Sequence, residues 1–85
     1  MDYVLKYSEE SVSQLDGIDK ETARRIIRKL ESTLQDPFNF FEGLSGRPEY
    51  KLRVGDYRII ANIDERRHIL FVRSLGHRKN IYKRQ

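Results

Sequence analysis

The spacing of apolar positions changes once along these 85 residues, from helical to alternating, near Tyr50. Before that switch, Tyr3-Val4-Leu5-Lys6-Tyr7 is aromatic and β-branched and reads as a short strand. Ser8 is placed to cap a helix whose first turn holds Glu9 and Glu10, where the helix dipole favours acids. That helix is brief, with Val12 and Leu15 as its apolar positions and Gly17 as its stop. Asp19 is the next cap. Ala23, Ile26, Ile27, Leu30 and Leu34 then recur at three- and four-residue steps and form an apolar stripe, with Lys20, Arg24, Arg28 and Glu31 on other faces. Asp36-Pro37 ends this second helix, because the residue before proline is disfavoured in the α region. Residues 37–48 hold two prolines, two glycines and three phenylalanines. They read as a loop whose Phe38, Phe40 and Phe41 pack onto the core rather than stack on bases.

Beyond the switch the period is two. Tyr50, Leu52 and Val54 alternate with Lys51 and Arg53, and Gly55-Asp56 is a two-residue hairpin signal. Tyr57 to Ile63 is the returning strand, Asp64-Glu65-Arg66-Arg67 a polar turn, and His68 to Ser74 a third strand. The unbroken run Ile69-Leu70-Phe71-Val72 predicts a strand covered on both faces. The basic tail from Gly76 to Gln85 is expected to add one helical turn. The order β-α-α-β-β-β predicts a single α+β domain over residues 1–85, with the helical hairpin on one face of a small antiparallel sheet.

Composition narrows the chemistry. There is no cysteine, so disulfides and thiolate metal sites are ruled out, and His68 and His77 are too few for a convincing metal centre. No apolar stretch approaches a membrane span, and the N-terminus lacks the pattern of a signal peptide, so a cytoplasmic protein without membrane contact is expected. The net charge of +4 is unevenly spread. Residues 1–46 carry six Lys/Arg against nine Asp/Glu, a balance of −3, and residues 47–85 carry eleven against four, a balance of +7. The basic half suits a polyanion, although a solvated basic face would serve solubility on charge alone.

The hairpin register turns charge into geometry. With Gly55-Asp56 as the loop, Val54 lies opposite Tyr57 and Arg53 opposite Arg58. Lys51, Arg53 and Arg58 then share one face, while Tyr50, Leu52, Val54, Tyr57 and Ile59 point to the helices. Two arginines directly opposite each other are destabilising unless they splay into water or an anion fills the gap, and a phosphate ester is the natural anion.

The stretch from Tyr50 to Ile60, YKLRVGDYRII, resembles the central hairpin of RelE/ParE-type toxins. Val72-Arg73-Ser74-Leu75-Gly76-His77-Arg78-Lys79-Asn80-Ile81-Tyr82 is similar to their C-terminal motif, a strand end followed by Gly-x-Arg and then a tyrosine, and Leu44-Ser45-Gly46 resembles their approach to the hairpin. The resemblance spans the whole chain in length and element order. It implies a RelE-like toxin of a type II toxin–antitoxin system that cleaves mRNA in the ribosomal decoding site, without metal or cofactor. It implies as partners the ribosome, mRNA and a cognate RelB-like antitoxin, with DNA reached only through that antitoxin. Ile60 and Phe71, on the face away from the helices, and the first helix would leave apolar surface for an antitoxin helix.

Carried over by motif position, the implied catalytic residues are Lys51, Arg53, Arg58, Arg78 and Tyr82, with Arg73, Lys79 and Lys83 as RNA contacts. Arg53 stands where some members have lysine. Cleavage by 2′-hydroxyl attack needs a base, donors for the phosphorane, and an acid for the leaving oxygen. Arg53 and Arg58 suit the donor task, and Arg78 the leaving oxygen. Lys51 is the candidate base, since neighbouring cations favour a neutral amine. Tyr82 would stack on a base or orient a sugar hydroxyl. His77 competes for the acid–base role unless it points away from Arg78, and His68 reads as structural. Three rivals stand beside this reading: a ParE-like gyrase inhibitor, whose relatives usually lack the basic cluster, a non-catalytic nucleic-acid-binding module, and a toxin-like protein that has lost its activity, against which the retained basic residues count.

Overall fold

A computed structural model of the chain describes residues 2–81. Its elements are β1 (Val4–Tyr7), α1 (Glu9–Asp16), α2 (Lys20–Ser32), β2 (Glu42–Gly43), β3 (Tyr50–Val54), β4 (Tyr57–Asp64), β5 (Ile69–His77) and α3 (Arg78–Ile81), with a 3-10 turn at Pro37–Asn39. Both long-helix starts follow from their caps. Ser8 Oγ accepts from the Ser11 N–H at 3.1 Å, and Asp19 Oδ2 accepts from the Thr22 N–H at 3.0 Å.

The strands form one sheet in the order β1-β5-β4-β3-β2, an α+β fold with its helical hairpin on one face. One expectation is corrected: the sheet is mixed, because β1 runs parallel to β5, from Val4 opposite Ile69 to Tyr7 opposite Val72. The β3-β4-β5 meander reverses twice, so β5 runs the way β3 does. The crossover through α1 and α2 brings the chain back to start β3 in the direction β1 took. The short β2 was not foreseen either. It pairs with β3 through Glu42–Lys51 and Gly43–Tyr50.

β5 extends past the expected Ser74 to His77, because its far half pairs with β4, Arg58 opposite Gly76 and Tyr57 opposite His77. Between Ile60–Ser74 and Ala61–Val72 the register slips, leaving Arg73 as the extra residue of a β-bulge. There α1 takes over from β1 as neighbour of β5. The Ser8 N–H and Ser11 Oγ donate to the Val72 carbonyl at 2.9 and 3.3 Å. Ser8 Oγ donates to the Arg73 carbonyl at 2.6 Å, and Gln14 Oε1 accepts from the Leu75 N–H at 2.7 Å. Ser11 is therefore the buried residue of α1, whereas Val12, expected to face inward, is 47% exposed.

The core lies between α2 and the sheet. Ile26 and Leu30 pack with Leu52, Val54, Ile59, Ala61, Leu70, Val72 and Leu75, and with Tyr3 and Phe41. Burial of each large aliphatic side chain contributes roughly 1.5–3 kcal/mol. Because helices cover only one face, Leu70 and Val72 are buried while Ile69 and Phe71 are half-buried, so the apolar run of β5 is not enclosed on both sides. Of the three loop phenylalanines only Phe41 enters the core. Phe38 is exposed and set edge-on to Tyr50 at 5.6 Å, and Phe40 is exposed beneath Lys29, whose Nζ lies 5.1 Å from its ring centre.

His68 takes a left-handed conformation (φ 55°), stacks on Tyr3 at 4.6 Å and accepts the Val4 N–H on its carbonyl. Its Nδ1 is buried without a hydrogen-bond partner among the described residues.

Candidate functional site

The hairpin has the register its turn demands. Val54 pairs with Tyr57, Arg53 with Arg58, and Lys51 with Ile60. Gly55 takes φ +58° at the first loop position, the pattern of a type II′ turn, whose twist matches that of the flanking strands. Leu52, Val54 and Ile59 are buried under the helices, so alternation sends Lys51, Arg53 and Arg58 to the other face. Arg53 is exposed, while Lys51 and Arg58 are half-buried.

The repulsion between the facing arginines is partly relieved within the turn. Arg58 Nη1 donates to the Tyr57 carbonyl at 3.3 Å and makes a long contact with the Gly55 carbonyl at 3.5 Å. These bonds orient the guanidinium on its own strand and leave its other donors for an outside anion. None of the three cations has a carboxylate within ion-pair distance among the described residues, where the pairs are Arg47–Glu49 and Arg67–Asp64.

Lys51, Arg53 and Arg58 line a depression of about 410 Å³ together with Lys29, Asn39, Phe40, Glu42 and Leu52. Lys29 was not anticipated. It arrives from α2, twenty-two residues before Lys51, and its stack on Phe40 fixes it at the rim. Alternation within the hairpin could not reveal it, because it is brought there by helix-to-sheet packing.

The tail is drawn to the same place. The Arg78 N–H donates to the Asp56 carbonyl at 2.8 Å, which seats the start of α3 on the hairpin loop. Arg78 is exposed there and is not part of the lining of the depression. His77 is on the other side. It pairs across from Tyr57 with the rings edge-to-face at 5.8 Å, on the helix face of the sheet, and its Nδ1 accepts the Lys79 N–H at 3.2 Å. The structure thus separates His77 from Arg58 and Lys51. Arg73, in the bulge, lays its guanidinium over Phe71 at 5.4 Å, and Lys79 is exposed on the first turn of α3. Tyr82 and Lys83 lie outside the described residues. Ile60 is only 4% exposed, so the face away from the helices offers less bare apolar surface than the sequence suggested.

Among the described residues no group of His, Asp or Glu is placed to hold a metal ion, and no helix is long and apolar enough to cross a membrane.

A small sheet backed by a helical hairpin is the architecture of the RelE/ParE superfamily of toxins. The chain belongs to the ParE toxin family of type II toxin–antitoxin systems, whose model matches residues 5–82. Solved structures agree on the fold. The chain is similar to the RelBE2 toxin–antitoxin complex of Mycobacterium tuberculosis (TM-score 0.84, 14% identity, 91% of this chain and 99% of that one). It is similar to a variant of Escherichia coli RelE in the free state (TM-score 0.79, 23% identity, 96% and 90%). It is also similar to the archaeal RelE–RelB complex of Pyrococcus horikoshii (TM-score 0.76, 24% identity, 94% and 99%). No protein of curated function matches the sequence.

Proposed function

We propose that this toxin is an endoribonuclease that cleaves mRNA in the decoding site of the ribosome and so arrests translation in the cytoplasm. The observation that carries the reading is the Arg53–Arg58 cross-strand pair with Lys51 on the same face, three cations that make no ion pair among the described residues and line one depression whose lining holds a single carboxylate, Glu42. A fold gains nothing from facing arginines, whereas a phosphodiester bridges them with two non-bridging oxygens.

The reaction assigned to the site is attack of the 2′ oxygen on the adjacent phosphorus. The 2′ O–P bond forms and the P–O5′ bond breaks, leaving a 2′,3′-cyclic phosphate and a 5′-hydroxyl. Arg53 and Arg58 stabilise the phosphorane, Lys51 takes the 2′ proton, and Arg78, seated on the hairpin loop, stabilises the negative charge on the leaving 5′ oxygen, which takes its proton from water. His77 is set aside, since its ring lies on the helix face. The complexes of similar toxins with RelB support a RelB-like antitoxin as the partner that silences the site.

Arg58→Ala or Arg78→Ala is expected to lower cleavage on translating ribosomes by at least about 100-fold, as loss of a phosphorane donor does, while leaving antitoxin binding intact. Cleavage at the wild-type rate in both variants would sink the assignment. The match to the ParE family favours one other reading, poisoning of DNA gyrase. It requires inhibition of supercoiling by the purified toxin without new RNA ends.

A further inference from the structure

We infer that α2 carries a second phosphate-binding subsite, formed by Arg25, Arg28 and Lys29 with Arg53, over which a single-stranded RNA runs as it leaves the hairpin. The inference rests on the proposal that the hairpin face binds RNA. A second depression, of about 430 Å³, is lined by Arg25, Arg28, Lys29, Arg53, Val54 and Gly55. Lys29 and Arg53 also line the first depression, so the two share a wall and form one cationic trough from Arg58 to Arg25.

Three features mark the second depression as an anion site. No carboxylate lines it, and none of its four cations has an ion pair among the described residues. Arg25 has Arg28 and Lys29 as its i+3 and i+4 neighbours, a like-charge arrangement that costs helix stability and is relieved by a bound anion. The Arg25 guanidinium also lies against the hairpin turn. A Cβ added at Gly55 would stand 3.3 Å from both of its terminal nitrogens, so the bare glycine admits this approach. A polymer with one charge per residue fits two contiguous cationic depressions, and the planar forks of Arg25, Arg28 and Arg53 match phosphate oxygens.

The test compares two charge-matched double variants. Arg25→Gln with Arg28→Gln removes the subsite. Lys20→Gln with Arg24→Gln removes equal charge from the other side of α2, where those residues line the groove toward α1. Binding of an eight-nucleotide single-stranded RNA is measured against salt concentration, with Arg58→Gln as the hairpin control. The first pair is expected to weaken binding on the order of tenfold and to reduce the salt slope by ~0.7 for one lost phosphate contact. The second pair is expected to leave both near wild type. Equal losses in the two pairs would show a general field effect and overturn the subsite. Wild-type binding in the first pair, with weakened binding in Arg58→Gln, would overturn the subsite and leave the hairpin reading standing. RNA binding that is absent from the wild type would overturn both. A loss confined to binding of an acidic antitoxin peptide would make the patch a protein interface instead. Should the double variant fail to fold, Arg28→Glu at its exposed helix position reads the same quantities, with a larger expected loss.

Discussion

The two faces of the β3–β4 hairpin are built from the same residues in alternation, yet they answer to different demands. Toward the helices, Leu52, Val54 and Ile59 are 4%, 8% and 0% exposed and meet Ile26 and Leu30 in the core. Toward the open side, Lys51, Arg53 and Arg58 crowd charge where a folded chain would sooner have none. One face supplies stability and the other spends part of it. The difference teaches that neighbouring positions along one strand can be selected almost independently, because the pleat isolates them.

That division can be broken most forcefully at Ile59. Ile59→Ala is expected to lower the unfolding free energy by about 2–5 kcal/mol in urea titrations, a large share of the stability of a domain this small. A cost no larger than that of Arg58→Ala would show that the two faces are not distinct in energy. Ser8→Ala should follow at about 1–2 kcal/mol. It removes both the α1 cap and the bond from Ser8 Oγ to the Arg73 carbonyl, and amide exchange should rise along α1 and the bulge of β5.

Arg53→Thr sharpens the contrast in the opposite direction. Removing one of two facing cations is expected to raise stability by about 0.5 kcal/mol while reducing cleavage. Lower stability in this variant would mean that Arg53 is held by packing. The smallest effect is at the ends of the pH range. Burial, aided by Glu31, raises the pKa of Tyr7, whose hydroxyl has no partner among the described residues. Its contribution to stability is full below the ordinary tyrosine range and is lost as pH rises through the raised value. Hydrogen bonds from Thr22 hold Asp19 below the ordinary carboxylate range, so its contribution is present near neutrality and is lost as pH falls through the lowered value. Thermal melts across pH should therefore weaken at both ends, with Asp19→Asn flattening only the acid side.

Much of this was legible along the chain wherever the deciding interaction is local. Ser8 and Asp19 cap as their types and positions require, and Gly55-Asp56 sets the pairing of Arg53 with Arg58 without reference to any other element. Long-range arrangement was not legible. The parallel pairing of β1 depends on how the helical crossover returns the chain, and the bulge at Arg73 depends on where α1 replaces β1 beside β5. Phe38 and Phe40 looked like core residues because composition does not reveal that a loop has room to bury only Phe41. The site shows the same boundary. Alternation placed Lys51, Arg53 and Arg58, but Lys29 joins them only through the packing of α2 on the sheet.

β2 is only two residues long and pairs with β3 no further than Lys51. Beyond that point the outer edge of β3, past Leu52 to Val54, has no strand beside it among the described residues, and an open edge invites another chain to add itself. Here the edge lies between Arg53 and the cations of α2, and a second copy approaching it would bring the same charges with it. The trough proposed to hold RNA thus also sets like charges against a second copy, a repulsion that loses strength as salt rises.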